Sequence, residues 1–377
     1  MIRLILILWL LCTGVPVWAQ GTLFDLKLTS PGASYLKVLD RTMVPLPQSA
    51  IDTRVTTEMK ILESTPVYVN GVYSPSVVKV GKEYLMFFGA DIRCTVRAET
   101  LARDTIGLAT SADGIRWKFK KWLLEPDASV CTKPWTQLND GVAFQMNDPS
   151  AYLSPDGTGI YLFYTVAWHH KSRPTYPHSY SCGTIGLIIY DLNLNTLARN
   201  DRYLEPNDIQ GACDGEGFSR PDLQWRGPGT TYLWLDTFAL VKRAPVMSLN
   251  RLESETVELT GTGGVDVHLP AIDYNSTHLL ANGASQLGPA LQPILYKQIK
   301  VGPFGTYWTD PLAVTRLSGS SWDSSYQGSP WLYLDRDSCK AKLYFAGSRI
   351  DGSNNNVLSI GVAVPPADAV YRFPLCR

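Results

Sequence analysis

The 377-residue chain carries 34 Lys+Arg against 34 Asp+Glu, and its composition is 45% hydrophobic and 11% aromatic. A neutral balance with no block of like charge excludes a nucleic-acid partner and a polybasic membrane contact, because both need a cationic face. Aromatic richness of this kind suits strands and their packing first, and sugar-stacking platforms second.

In chain order, the first element is a leader. Arg3 precedes an apolar run from Leu4 to Leu11, followed by Gly14, Pro16 and Val17-Trp18-Ala19. Charge, short apolar core and small exit residue form the pattern of a secretory signal peptide, with cleavage expected near Ala19. The run is too short for a membrane span of about 20 residues, and no later segment is long enough. The mature protein is therefore expected to be soluble and secreted or periplasmic, with residues 1–19 as signal peptide. Residues 20–65 are expected to run along the outside of the domain or to supply a strand that closes it.

From residue 66 a proline-led phrase recurs, each time running into an apolar strand pair. Ser74-Pro75-Ser76-Val77-Val78 leads through a Gly81 turn to Tyr84-Leu85-Met86-Phe87-Phe88. Asp148-Pro149-Ser150-Ala151-Tyr152 leads through Asp156-Gly157 to Ile160-Tyr161-Leu162-Phe163-Tyr164. Further copies start at Arg220-Pro221, Leu269-Pro270 and Ser329-Pro330. Behind them, Thr105-Ile106-Gly107-Leu108 answers Thr184-Ile185-Gly186-Leu187, and Leu124-Glu125-Pro126 answers Leu204-Glu205-Pro206. Short apolar runs punctuated by Gly, Asp, Asn and Pro signal strands and hairpins, and no long stretch has helical periodicity. A period of roughly 50–75 residues fits a four-stranded propeller blade with insertions. The expected fold is all-β, a five-bladed β-propeller over residues 66–377. A β-sandwich would supply short strands without repeating one phrase five times.

Of the seven cysteines, Cys12 leaves with the leader, and Cys94, Cys131, Cys182, Cys213, Cys339 and Cys376 remain. In an exported chain an even set reads as disulfides. Clustering favours the sequential pairing 94–131, 182–213 and 339–376, although sequence alone does not select it. No C-x₂-C or His-Cys spacing supports zinc, so no metal ligand is assigned.

Asn147-Asp148-Pro149 with its following strand resembles a central-strand motif of the five-bladed arabinanase, xylosidase, invertase and levansucrase group. Ile106-Gly107-Leu108-Ala109-Thr110-Ser111-Ala112-Asp113-Gly114-Ile115-Arg116-Trp117 resembles a hairpin of the same enzymes. The resemblance covers about residues 70 to 365 and speaks for architecture more than activity. Asp113-Gly114 itself reads as a tight turn, with Trp117 packing between blades.

Glycoside hydrolysis needs two carboxyl groups flanking the scissile bond, one protonated and one acting as base or nucleophile. A third can raise the acid's pKa by like-charge repulsion. The resemblance implies an Asp, an Asp and a Glu at the strand heads of blades one, two and three. Only Asp148 matches, as the supporting carboxylate. Blade one presents Ser74 and blade three presents Arg220, which can pair with Asp148 or clamp an anionic ligand group.

Asp91 and Glu216 are the carboxylates expected to substitute as catalytic groups, with Asp140, Asp214 and Asp222 nearby. Ser74, Arg220, Asp222, Trp168 and His169 are the expected saccharide-binding residues. No cofactor is expected, although some relatives hold a calcium or histidine on the axis, where His268 would lie. The expected partner is an oligo- or polysaccharide. Three readings remain open: a glycosidase with relocated carboxylates, a non-catalytic saccharide-binding propeller that lost its acid–base pair, and a protein-docking propeller.

Overall fold

The computed structural model describes residues 27–47, 67–96, 99–154, 156–169, 183–205, 219–224, 232–237, 240–248, 251–252, 257–259, 278–282, 294–302, 305–308, 312–316, 322–335, 338, 340–350, 356–367 and 369. Among these there is no α-helix, only strands and short 3₁₀ turns. A strand β1 (Ser34–Leu39) precedes the first sheet, β2 (Val67–Val80), β3 (Glu83–Val96), β4 (Glu99–Ser111) and β5 (Lys118–Leu124). A second sheet holds β6 (Ala143–Leu153), β7 (Gly159–Trp168), β8 (Thr184–Asp191) and β9 (Thr196–Leu204). The third holds β10 (Ser219–Gln224), β11 (Tyr232–Thr237), β12 (Leu240–Ser248), β13 (Arg251–Leu252) and β14 (Val257–Leu259). The fourth holds β15 (His278–Asn282), β16 (Ile294–Gly302), β17 (Gly305–Trp308) and β18 (Leu312–Ala313). The fifth holds β19 (Tyr326–Asp335), β20 (Lys340–Ile350) and β21 (Asn356–Val364), with β1 antiparallel against β21 as its outer strand.

Among the described residues every pairing is antiparallel, and it joins chain neighbours except where β12 pairs β14, β16 pairs β18 and β1 pairs β21. The first strands of the sheets neighbour one another: β10 beside β6, β6 beside β2, β2 beside β19, and β19 beside β15. Sheets whose first strands gather in this way form a β-propeller.

The core lies between blades. Val72, Val77, Met86 and Phe88 of the first sheet pack with Trp331, Tyr344 and Val362 of the fifth. On the opposite face, Leu85, Phe87, Ile106 and Leu108 pack with Ile160, Leu162 and Tyr164 of the second. Period-2 alternation thus sends successive apolar residues to the two neighbouring blades, which explains strands that read as nearly continuous apolar runs.

The repeated Ile-Gly-Leu has a steric cause. Phe88 of β3 lies opposite Gly107 of β4, and Tyr164 of β7 lies opposite Gly186 of β8. In each pair the aromatic ring crosses the glycine so closely that a Cβ would collide with it. The Asp113–Gly114 segment is the expected turn: Asp113 accepts from the Ile115 and Arg116 amides, each at 2.8 Å. Trp117 packs 5.9 Å from Tyr344 of the fifth sheet, which places it between blades. Cys94 and Cys131 form a disulfide; Cys182, Cys213, Cys339 and Cys376 lie outside the described residues, as do the leader and the Leu269-Pro270 copy.

Candidate functional site at the strand heads

Four of the proline-led phrases share one backbone device. Ser74, Asp148, Arg220 and Ser329 all have positive φ, at 44°, 48°, 50° and 45°. The ladder shifts register at each, between Tyr73 and Ser76, Asn147 and Ser150, Ser219 and Asp222, and Gly328 and Trp331. Each head residue and its proline therefore drop out of the pairing, where the missing proline N–H costs no ladder bond. Left-handed backbone at a non-glycine residue costs about 1–3 kcal/mol, and it recurs in four sheets. The shared result is a cavity of about 40 Å³ lined by Ser74, Asp148, Arg220, Asp222, Ser329 and Trp331, with the four prolines and Ser150. At about 10–15 Å³ per water by this measure, the cavity takes a few waters or one ligand substituent.

Ser74 donates to Asp148 Oδ1 at 2.9 Å and lies 3.3 Å from Ser329 Oγ. Thr165 Oγ1 donates to Asp148 Oδ2 at 3.4 Å and accepts the Arg220 amide at 2.9 Å. Hydrogen bonds across blades thus hold the heads in place. Trp331 donates to the Val77 carbonyl at 3.0 Å, and the Ala151 amide donates to Ser76 Oγ at 2.7 Å.

Of the residues named from sequence, Asp148, Ser74, Arg220 and Asp222 come together in this lining. Asp222 has a structural task as well: it accepts the Tyr152 phenol, whose oxygen also accepts the Leu223 amide at 2.8 Å. That links the second and third sheets. Burial and the Asp222 charge raise the Tyr152 phenol well above its ordinary range.

Two residues expected to bind saccharide, His169 and Trp168, stand off this lining. His169 is 2% exposed, with Nδ1 3.1 Å from the Asn139 carbonyl and its ring 4.5 Å from Trp135. Trp168 donates to Thr184 Oγ1 at 2.8 Å and is covered by the Arg202 guanidinium at 4.4 Å. Neither lines the cavity; the strand end they occupy packs against Asn139 and Trp135, and against Thr184 of β8 and Arg202 of β9. Glu216, Asp214 and His268 lie outside the described residues, and Asp140 is exposed in its turn. Among the described residues no three His, Cys, Asp or Glu side chains cluster to hold a metal, and Asp148 and Asp222 share their cavity with the Arg220 guanidinium, which disfavours a cation there.

Asp91 also lies off the lining. It stands on the part of blade one upstream of the head, opposite Gly71 of β2 and Asp104 of β4. Its Oδ2 accepts from Asn70 Nδ2 at 2.9 Å and Arg93 Nε at 2.8 Å. Asp104, which sequence reasoning missed, is 8% exposed and accepts from Asn147 Nδ2 at 3.4 Å. Burial first, and then the Asp91 charge, push the Asp104 carboxyl well above the usual carboxylate range, with Asp148 adding to the shift and Tyr73 and Arg93 opposing it. The Tyr73 phenol is itself driven up by burial and by Asp104, Asp148 and Asp91. The register of β3 on β4, with Val96 opposite Glu99, sets Asp104 against Asp91.

No protein-family model and no curated protein sequence matches the chain. Solved structures do. A glycoside hydrolase matches with a TM-score of 0.53 at 13% identity, covering 85% of this chain and 99% of that one. Zg3597, a family 117 glycoside hydrolase from Zobellia galactanivorans, matches with a TM-score of 0.51 at 12% identity over 90% and 91%. An N-acetylgalactosamine deacetylase from F. plautii, in complex with blood group B trisaccharide, matches with a TM-score of 0.51 at 11% identity over 78% and 89%.

The fold is that of the propeller glycoside hydrolases.

At such identities the likeness concerns architecture, and activity has to be argued from the side chains of this propeller.

Proposed function

We propose that this chain is an exported propeller that binds an oligo- or polysaccharide over its strand-head mouth and hydrolyses a glycosidic bond there. The observation that carries the reading is Asp148: a carboxylate held on strained backbone at the meeting point of four strand heads, between the hydroxyls of Ser74 and Thr165. Strain of this kind collects at binding and catalytic sites. A protein of the same fold holds a blood group B trisaccharide, which supports a saccharide as ligand. The leader supports export, and a mouth built from hydroxyls, the carboxylates of Asp148 and Asp222 and one guanidinium suits sugar hydroxyls better than an apolar ligand.

The test is a panel of arabino-, xylo- and galacto-oligosaccharides and polysaccharides, assayed for binding and for reducing ends. Wild-type protein is expected to bind and cleave at least one, and Asp148→Asn to lose cleavage by about 100-fold or more. No binding to any member would defeat the reading.

A second reading, saccharide binding without turnover, is favoured by Ser74 and Arg220 standing at the heads where the resembled enzymes carry carboxylates. Binding with no cleavage by wild-type protein would select it.

A further inference from the structure

The strand-head cavity is lined by Asp148 and Asp222, of which Asp222 accepts the Tyr152 phenol, and hydrolysis needs a proton donor as well. The upstream arm of blade one is where the remaining acidic groups gather. β2 and β3 are each 14 residues long, against 11 and 10 for β6 and β7. Blade one therefore extends further upstream of its head than blade two, and the Cys94–Cys131 bond fastens the end of that extension to the segment leading into blade two.

On this arm Asp91 and Asp104 are cross-strand partners, and Asn147 reaches Asp104 from β6, one residue before Asp148. Asp91 is 7% exposed and Asn147 6%. Asp91 Oδ2 is engaged by Asn70 and Arg93, and Asn147 Nδ2 by Asp104, yet Asp91 Oδ1 and Asn147 Oδ1 are buried with no hydrogen-bond partner. A buried acceptor left without a donor costs about 1–3 kcal/mol. Two of them in one group mark a place for a ligand that brings hydroxyl donors. The charges facing Asp104 are Asp91 and Arg93 from β3 and Asp148 from β6, with the Tyr73 phenol from β2. Asp91 already has Arg93 as its counter-ion at 2.8 Å, so ionising Asp104 would add an uncompensated buried negative charge. Burial beside that charge favours the protonated form of the Asp104 carboxyl.

We propose that Asp104 is the proton donor of the saccharide site, standing on blade one in place of the acid absent from the strand heads, with Asp91 Oδ1 and Asn147 Oδ1 accepting from sugar hydroxyls beside it. This rests on the hydrolase reading above and completes its chemistry. The Asp104 O–H gives its proton to the glycosidic oxygen, directly or through one water, as the bond from that oxygen to the anomeric carbon breaks and its electron pair stays on the oxygen. A water adds to the anomeric carbon and loses its proton to the Asp148 carboxylate. Asp104 regains a proton from solvent, and Asp148 releases one.

The first measurement is the infrared carboxyl spectrum of the full mature chain at neutral pH. Wild type is expected to show a protonated carboxyl band that Asp104→Asn lacks; no such band in the wild type overturns the proposal whether or not the protein is an enzyme. The second compares aryl glycosides on the best sugar of the panel. Asp104→Asn is expected to lose at least about 100-fold on a phenyl glycoside and far less on the dinitrophenyl glycoside, whose leaving group departs without protonation. Equal losses on both overturn the donor role. A wild type that shows the band and binds the sugars, but cleaves none of the glycosides, also overturns it while leaving the saccharide-binding reading standing. Thermal melting of Asp104→Asn, expected to match or exceed wild type at pH 8, separates these results from misfolding.

Discussion

The strand-head cavity and the upstream arm of blade one both present aspartates, in opposite electrostatic settings. At the cavity, Asp148 accepts from two hydroxyls and shares its lining with Arg220. On the arm, Asp104 is buried against Asp91 and senses Asp148, with Arg93 committed to Asp91. Convergence at a hub brings residues together without making an acid. Burial beside like charge favours one, because both raise the cost of the ionised carboxylate.

Perturbing the arm should show larger effects than perturbing the cavity. Cys131→Ser, which frees the end of blade one, is expected to cost about 2–5 kcal/mol, read as a drop in melting temperature that the reductant-treated wild type reproduces. Gly107→Ala drives a methyl into the Phe88 ring, and an overpacked core position costs about 1–3 kcal/mol; chemical denaturation measures it. Ser74→Ala removes one hydrogen bond to Asp148 at the cavity and is expected to cost only about 0.5–1.5 kcal/mol, again by denaturation.

The pH dependence sharpens the contrast without a large energy. The folded Asp104 pKa lies above its unfolded value, so between the two the folded state binds more protons. Stability is therefore full below about pH 4 for this group and falls as pH rises towards and through the folded pKa. Asp104→Asn should flatten that decline, whereas Ser74→Ala should leave its slope unchanged; melting temperatures from pH 4 to pH 9 test both. At Asp113 the direction is the reverse: amide and Arg116 hydrogen bonds hold its carboxyl well below the usual range. Its contribution is present at neutral pH and lost only in strong acid, and exposure keeps it small.

Much of the architecture was legible because it rests on local patterns. The proline-led phrase marks the inner strands, and Asp113-Gly114 marks a hairpin whose amides the aspartate accepts. The site was legible only in part. Asp148, Ser74, Arg220 and Asp222 could be placed at strand heads because each adjoins a repeated proline. His169 and Trp168 stood equally close to a strand end, but their partners, Asn139 and Trp135 for one and Thr184 and Arg202 for the other, come from segments whose placement no local spacing reveals. Asp104 was passed over because nothing beside it in sequence announces a role; its significance comes from Asp91 across the ladder and Asn147 from the next blade.

By itself, then, the sequence determined the all-β class, the repeat and the glycines that let Phe88 and Tyr164 lie flat across their neighbours, because alternation, turn chemistry and close approach act over a few residues. Only the tertiary structure decided which carboxylates share a field. The left-handed bulges that aim four strand heads at one cavity, and the register that sets Asp104 against Asp91, depend on pairings between distant segments, and a carboxyl's proton is held or lost according to what those pairings bring beside it.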